Sequence, residues 1–555
     1  MKTGGQLIVE ALETHGVERV FCIPGESYLA VLDGLHDSRI ETTVCRQEGG
    51  AAMMADAWGK LTGTPGICMV TRGPGATNAA AGVHIAYQDS TPMILFIGQI
   101  DSRFREREAF QEVDYRRFFS PMAKWVAEID SAERVPEMIS RAFHVATSGR
   151  PGPVVLALPE DALIDTADIS QPAPWKPVET YPGSDQIADF VRRIEAAGRP
   201  LMILGGSRWS QDAVDQVKGF AERFSVPIAC SFRRQMLFDH SHPLYAGDVG
   251  IGLNPKLRAR IDESDCLILL GGRLSEMPSQ SYELLDIPSP RQPFIHIHAG
   301  VEELGRVYRP DLAIHASPRG FASALAAYNQ DDSIPQYSDW AESTHKDYLS
   351  WSRIPDSMPG DVHMGEIVAW LKGELPDDSI LCNGAGNYAT WIHRFWPFRR
   401  FATQAAPTSG SMGYGVPAAV AAKLLHPDRD VVAFAGDGCF QMTCQEFGTA
   451  VQAGAAVIVL VVDNGMYGTI RMHQEREYPA RLSATSLINP DFAAWARSYG
   501  VFGATVEKTE EFADLFRAAK ASNGPALLHI KIDPEGITPA TTLSALREKA
   551  LNHPK

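Results

Sequence analysis

The sequence lacks the features of several protein classes. Its 555 residues include only eight cysteines and no Cys-x-x-Cys pair, so neither a disulfide framework nor a zinc ribbon is predicted. No apolar run approaches the roughly eighteen residues that a membrane span needs, and Glu10 and Glu13 interrupt the N-terminal segment where a signal peptide would be apolar. The formal net charge of −16 argues against a basic nucleic-acid-binding face. We therefore expect a cytoplasmic protein with no nucleic-acid or membrane partner.

Two polar stretches that contain proline predict linkers, at residues 166–185 and 329–361. Each remaining block alternates short apolar strands with amphipathic helical segments, which predicts an α/β protein with three doubly wound parallel-sheet domains. The predicted domains are 1–168, 186–328 and 360–534, followed by a C-terminal tail at 535–555. The tail has a helical pattern over 542–551 and is either a frayed end or a flap over a site.

A metal site is predicted where two strands of the third domain end. The apolar run 431–435 leads directly into a Gly-Asp-Gly sequence that contains Asp437, and a second apolar run, 457–462, ends just before Asn464. A helical pattern lies between the runs, so they form a βαβ unit whose parallel strands end at one edge of the sheet. Asp437 and Asn464 can meet there and bind a hard cation such as Mg²⁺ and, through it, a diphosphate.

A second candidate site lies in the first domain. The predicted strand Glu41–Val44 runs into a short loop and then a helix, which places Glu48 at the end of the strand and the start of the helix. Taken alone, this position favours a surface glutamate stabilised by the helix dipole. Glycine-rich loops at 73–78 and 408–415, each between a strand and a helix, make Glu48 a candidate for catalysis when all these features are considered together.

The motifs resemble those of the thiamine diphosphate-dependent decarboxylases and carboligases, most closely the acetolactate synthase catalytic subunits. The resemblance covers nearly the whole chain and includes residues 20–27, 47–63, 73–99, 110–112, 410–422 and 436–468. It implies thiamine diphosphate and Mg²⁺ as cofactors, a small 2-oxo acid as substrate, and an obligate homodimer or a homotetramer. The three domains then correspond to pyrimidine-binding, central and diphosphate-binding domains, and the site forms between the first domain of one subunit and the third domain of another.

The resemblance also implies roles for individual residues. Glu48 matches the glutamate that hydrogen-bonds the pyrimidine N1′ of the cofactor and acts in general acid–base catalysis. Met412 matches the large apolar residue that sets the angle between the two cofactor rings, and the carbonyl of Gly410 matches an acceptor for the 4′-amino group. Gln111 matches a position near the reacting centre.

Further positions match the binding site for the diphosphate and the metal. Asp437, Asn464 and the backbone carbonyl of Met466 are the expected Mg²⁺ ligands. The other residues expected to contact the cofactor are Pro24, Gly25, Pro74, Asn78, Gly386, Asn387, Tyr388, Gly436, Gly438 and Gly468.

The chain departs from the family pattern on the substrate side. His473 stands where a tryptophan of the acceptor pocket is expected, and Met277 stands where an arginine that serves flavin and the acceptor carboxylate is expected. These changes leave open whether FAD is bound and whether the acceptor is a second 2-oxo acid. The glycines after the apolar runs ending at Leu204 and Leu270 fit either a nucleotide site or tight turns. We expect His473 to act as a proton shuttle.

The resemblance implies an enzyme that decarboxylates a pyruvate-like 2-oxo acid and transfers the acyl carbanion to a carbonyl acceptor. The alternatives are a simple 2-oxo-acid decarboxylase, an aldehyde carboligase or a 2-hydroxyacyl-CoA lyase. A more remote alternative is a regulator that binds the cofactor without turnover.

Overall fold

The computed structural model describes residues 1–328 and 337–552. Its framework is three six-stranded parallel sheets, one in each predicted domain, which confirms the predicted fold class. The chain divides into two compact units: the first contains residues 1–178, 407–427 and 443–456, and the second contains the rest. Within the described ranges, every helix is too short or too polar to cross a membrane.

The strands are, in chain order, β1 Lys2–Thr3, β2 Arg19–Cys22, β3 Glu41–Val44, β4 Gly66–Val70, β5 Met93–Gln99, β6 Trp125–Glu128, β7 Pro153–Pro159, β8 Thr166–Ala167, β9 Pro200–Leu204, β10 Ile228–Ser231, β11 Tyr245–Val249, β12 Cys266–Leu270, β13 Phe294–His298, β14 Leu312–His315, β15 Ile380–Asn383, β16 Gln404–Ala405, β17 Val431–Gly436, β18 Ile458–Asp463, β19 Phe502–Val506 and β20 Ala526–Lys531.

The α-helices are, in chain order, α1 Gly4–Thr14, α2 Leu29–His36, α3 Glu48–Thr62, α4 Pro74–Asp89, α5 Tyr115–Phe119, α6 Val135–Thr147, α7 Glu160–Ile164, α8 Ser184–Ala196, α9 Gln211–Phe224, α10 Pro255–Glu263, α11 Pro318–Ala326, α12 Ser338–Trp351, α13 Met364–Glu374, α14 Ala389–Phe395, α15 Gly415–Leu425, α16 Asp437–Gln441, α17 Glu446–Ala453, α18 Gly468–Glu477, α19 Phe492–Arg497, α20 Phe512–Ala521 and α21 Leu543–Asn552.

The sheet of the first unit has the strand order β3-β2-β4-β5-β7-β6. Strands β4, β5 and β7 are buried along their whole length, as expected for a parallel sheet that is covered on both faces. The direction of strand addition reverses between β2 and β4. Ligands of open α/β sheets bind outside the carboxyl ends of the strands at such a switch point.

The second unit contains two sheets, with strand orders β11-β10-β9-β12-β13-β14 and β16-β15-β17-β18-β20-β19. In the latter sheet the direction reverses between β15 and β17. Strands β17 and β18 are parallel neighbours, with Gly436 opposite Val462, as the βαβ prediction requires. The strand ends that precede Asp437 and Asn464 therefore lie side by side.

The second predicted linker is wrong in part, because it contains a helix. Residues 329–336 lie outside the described part of the chain, but α12 occupies much of the remainder. Trp340 and Ala341 are buried in the core of the central sheet, and Trp340 Nε1 donates to the carbonyl of Pro200 at 2.9 Å. The polar residues of this stretch cover the outer face of a helix that packs on the sheet through a few apolar side chains.

A buried charge network joins α3 and α4 to the loop before α15, all within the first unit. Lys60 Nζ lies 2.5 Å from Asp89 Oδ2 and 3.1 Å from Asp56 Oδ2, and the Tyr414 hydroxyl donates to Asp56 Oδ2 at 2.5 Å. Asp89 also accepts from the Thr408 hydroxyl and from the backbone N–H groups of residues 408 and 409. Burial raises the pKa of Asp56, and Lys60 opposes that shift.

We expect Lys60→Met to destabilise the protein strongly, because it leaves two buried carboxylates without their cation; the cost of breaking such a pair is about 3–5 kcal/mol. The measurement is the melting temperature by calorimetry. Lys346→Met is the matched control, since Lys346 forms an exposed ion pair with Glu342 at the same four-residue spacing. Equal falls in melting temperature for the two variants would contradict this account.

Candidate functional site

The first group of predicted residues lies at the carboxyl edge of the first sheet, where the switch point falls. Gly25 follows β2, and a Cβ atom there would lie 2.5 Å from the Cβ of Thr71. Gly73 follows β4 with a φ of +60°, and its Cβ would lie 2.7 Å from the Cβ of Gln111. Glycine is therefore required at both positions, because the loops after β2 and β4 and the Gln111 loop pack against their neighbours almost without space.

Glu48 is the first residue of α3, and its side chain is half-buried at this edge. Asn78 Nδ2 donates to Glu48 Oε2 at 3.0 Å from the neighbouring helix α4. Pro74, the first residue of α4, and Asn78 are both exposed. The structure thus brings Glu48 and Asn78 together, and it leaves the second carboxylate oxygen of Glu48 beside Gly75, whose added Cβ would lie 3.4 Å away.

Glu446 fixes the backbone that leads into Glu48, and the sequence analysis missed it. Its carboxylate is fully buried and accepts from the backbone N–H groups of Arg46 and Gln47, the latter at 2.9 Å. It also accepts from the Thr449 hydroxyl at 2.7 Å. Burial raises the pKa of Glu446, and these hydrogen bonds oppose the shift. Because Glu446 lies 399 positions after Gln47, no local pattern could have indicated the contact.

The loop that carries Gly410 and Met412 belongs to the same compact unit as Glu48. Gly410 has a φ of +70°, and its missing side chain faces open space, since no atom lies within 4 Å of an added Cβ. Met412 is half-buried. The loop is held at its start by Asp89 and at its end by Thr443, whose hydroxyl donates to the carbonyl of Gly413 at 2.5 Å. A rigid loop with an open position at Gly410 fits a backbone that approaches a ligand closely.

The second group lies in the second unit, at the carboxyl edge of the third sheet. Asp437 is the first residue of α16, and its side chain is only 3% exposed. Burial raises the pKa of Asp437 to about 6, and the nearby carboxylate of Asp463 adds to the shift. A cation bound beside this buried carboxylate would stabilise its charged form. The pKa of Asp463 is shifted the other way. Burial opposes its ionisation, but hydrogen bonds from His529 and from the N–H of Gly465 lower its pKa.

The turn after β15 packs against the end of β17. A Cβ on Gly436 would lie 2.8 Å from the ring of Tyr388, and Gly386 has a φ of +146° that favours glycine. Asn387 Oδ1 accepts from the Thr469 hydroxyl on α18 at 2.9 Å. The structure therefore brings together the three predicted diphosphate-binding segments, which are the turn at 386–388, the Gly-Asp-Gly sequence and the start of α18.

The loop after β18 is equally tight. A Cβ on Gly468 would lie 2.8 Å from Asn464 Nδ2, and a Cβ on Gly438 would lie 2.7 Å from the Tyr467 ring. Met466 is buried against Ile537 and Leu543 of the C-terminal segment. That segment is ordered against α18, because Arg547 on α21 pairs with the buried carboxylate of Glu475. The tail is thus packed rather than frayed over its described residues.

The donor chemistry at this edge fits a hard divalent cation. Within residues 1–328 and 337–552, no three His, Cys, Asp or Glu side chains are arranged to hold a metal. An ion here would depend on one buried carboxylate together with amide, carbonyl and phosphate oxygens, which is the ligand set that Mg²⁺ takes with phosphorylated ligands. Asp437, Asn464 and Met466 supply oxygens of these three protein types.

His473 and the central domain add less to the site. His473 is exposed on α18, and its Nδ1 lies 2.6 Å from Arg476 Nη2. Partial burial and Arg476 lower its pKa; its role as a proton shuttle stays a prediction.

In the central domain, an added Cβ on Gly206 would lie 1.7 Å from the carbonyl oxygen of Gly271. The close packing of the two turns is a sufficient reason for these glycines.

Family comparisons agree with a division of the chain into three domains. Residues 2–118 match the N-terminal TPP binding domain of thiamine pyrophosphate enzymes, residues 187–325 match their central domain, and residues 384–530 match their C-terminal TPP binding domain. The chain therefore belongs to the thiamine pyrophosphate enzymes.

Within that family the protein is acetolactate synthase-like. It is 31% identical over 539 residues to the acetolactate synthase large subunit of Corynebacterium glutamicum, covering 94% of this chain and 85% of that one. It is 30% identical over 541 residues to the isozyme 2 large subunit of Escherichia coli, covering 96% and 95%. It is 31% identical over 553 residues to the large subunit of Parasynechococcus marenigrum, covering 96% and 87%.

Proposed function

We propose that this enzyme decarboxylates pyruvate or a closely similar 2-oxo acid and transfers the acyl group to a second 2-oxo acid, so that pyruvate alone gives 2-acetolactate. The observation that carries the proposal is the placement of two carboxylates at the carboxyl edges of two parallel sheets. Glu48 follows the edge strand β3 of the first sheet, and Asp437 follows β17 of the third, next to its switch point. Glu48 is suited to proton transfer with the pyrimidine ring, and Asp437 is suited to binding the metal that holds the diphosphate.

When bound, thiamine diphosphate supplies the nucleophilic carbon and the electron sink for loss of CO₂. Glu48 holds and exchanges a proton at the pyrimidine N1′, and Asn78 orients its carboxylate. The carbonyl of Gly410 would accept from the 4′-amino group, and the side chain of Met412 would support the cofactor. Gln111, held against Gly73, lies on the same edge and orients the substrate.

Asp437, Asn464 and the carbonyl of Met466 are proposed to bind Mg²⁺. Gly436, Gly438 and Gly468 support this assignment, because their neighbours leave no room for side chains and the backbone can approach the diphosphate.

A homodimer completes the proposed site, with the pyrimidine half from one subunit and the diphosphate half from its partner. Exposed apolar side chains beside both halves support an interface: Phe110 is 73% exposed next to Gln111, and Ile488 is fully exposed. We expect the partner subunit to cover both side chains, because burial of apolar surface at an interface is favourable.

We expect the wild-type enzyme to release CO₂ from pyruvate and to form 2-acetolactate, and Glu48→Gln to lower turnover by roughly 10²–10⁴, the range for a general acid–base group. Binding of thiamine diphosphate with Mg²⁺ should be retained, because the diphosphate half is unchanged. Product analysis and equilibrium dialysis measure the two effects. Glu133→Gln, at an exposed position, is the control. Free acetaldehyde as the main wild-type product would instead favour a simple decarboxylase.

The Mg²⁺ affinity of the complex with thiamine diphosphate should depend on pH through Asp437. Its pKa of about 6 means that protons compete with the metal below that pH, so the affinity should fall by roughly tenfold per pH unit there and level off above it. Calorimetric titrations from about pH 5 to about pH 8, a range that spans this pKa, measure the effect. Asp437→Asn should weaken binding and flatten the profile, whereas the exposed Asp514→Asn should leave it unchanged.

Complementation tests the shared site. Glu48→Gln and Asp437→Asn should each be nearly inactive alone, but a hybrid dimer has one site in which both residues are wild type. Statistical mixing by co-expression should therefore restore about a quarter of wild-type activity per dimer. Activity that stays at the level of the single variants in purified hybrids would show that both residues act from one chain.

A further inference from the structure

The side-chain amide of Asn489 bridges two carboxylates at the edge of the third sheet. Its Nδ2 atom donates to Asp437 Oδ2 and to Asp463 Oδ1, each at 2.7 Å. Its Oδ1 atom accepts from Gln441 Nε2 at 2.9 Å. Both amide hydrogens are thereby used, and the orientation of the amide is fixed from the opposite side by Gln441.

The Asp463 carboxylate, which Asn489 links to Asp437, is held by hydrogen bonds of its own. Asp463 Oδ2 accepts from His529 Nε2 at 2.7 Å, and Asp463 Oδ1 accepts from the N–H of Gly465 at 2.8 Å. His529 is only 3% exposed, and its ring packs edge-on against Phe492 with centroids 5.0 Å apart. Asn489 is therefore held by a carboxylate that cannot easily move.

The segment that carries Asn489 is also tied to the loop after β18. The N–H of Tyr467 donates to the carbonyl of Thr485 at 2.8 Å, and the N–H of Leu487 donates to the carbonyl of Gly465 at 2.8 Å. Asn489 thus reaches Asp437 from a segment that is hydrogen-bonded to the loop of Asn464 and Met466. One short segment connects all three of the proposed metal ligands.

We propose that Asn489 is a positioning residue for the metal site: its amide holds the Asp437 carboxylate in its ligating orientation and links it to the carboxylate of Asp463. This inference rests on the proposed function, in which Asp437 binds Mg²⁺, and adds the group that orients it. Partners of metal ligands commonly act in this way, and their loss reduces metal affinity. Without the amide, the orientation of the buried Asp437 would depend on the neighbouring carboxylate of Asp463 alone.

The test uses Mg²⁺ and thiamine diphosphate as probes and the full-length chain. Asn489→Leu keeps a side chain of similar size and removes both donors. We expect it to raise the Mg²⁺ concentration needed for half-maximal retention of thiamine diphosphate, measured by equilibrium dialysis, by about 10–100-fold. Asn552→Leu, at the exposed end of α21, is the matched control and should leave this concentration unchanged. An unchanged Mg²⁺ requirement in Asn489→Leu would overturn the inference.

A double variant separates positioning from a merely structural role. In an Asp437→Asn background, Asn489→Leu should add little to the Mg²⁺ requirement, because the ligand that it orients is already lost. Full additivity of the two effects would mean that Asn489 acts independently of Asp437 and would overturn the inference.

His529→Phe provides a second route if Asn489→Leu does not fold. It keeps an aromatic ring packed on Phe492 but removes the hydrogen bond to Asp463. Asp463 is in turn linked to Asp437 through Asn489. A rise in the Mg²⁺ requirement, smaller than for Asn489→Leu, supports the chain of contacts, and no rise contradicts it. Failure of the wild-type protein to retain thiamine diphosphate with any Mg²⁺ would instead refute the proposed metal site itself.

Discussion

The chemistry of this fold depends on carboxylates that are buried and then satisfied by donors from distant parts of the chain. An unpaired buried carboxylate is too costly to keep ionised. Glu446 meets this constraint with two backbone N–H groups, Asp89 with Lys60 and the 408–409 backbone, and Asp437 with the amide of Asn489. Each of these carboxylates therefore links a loop of the predicted site to a helix or segment far away in sequence.

Much of the fold could be predicted from local patterns. Strands of parallel sheets are covered on both faces, so they show as short continuous apolar runs. The run 431–435 corresponds to β17, and the run 457–462 corresponds to β18 with a shift of one residue. Once strand ends were located, the residues after them followed, because carboxyl ends share an edge. Glu48 and Asp437 follow from strand ends in this way, whereas Gly386 follows from the family resemblance.

The donors that hold these residues could not be predicted. Glu446 and Asn489 are single polar residues without a periodic pattern, and Asn489-Pro490-Asp491 has the composition of an ordinary turn. Their meaning depends on contacts across 399 and 52 positions. Helix α12 was missed for a related reason: its buried side is made by a few residues around Trp340, and the polar ones dominate its composition.

Glu48 and Asp437 each begin a helix that follows a parallel strand, but their electrostatic environments differ. Glu48 is half-buried and accepts one hydrogen bond from Asn78. Asp437 is almost fully buried and accepts a hydrogen bond from Asn489. Both proposed roles concern the cofactor, whereas the departures from the expected family pattern at Met277 and His473 bear on the predicted acceptor side.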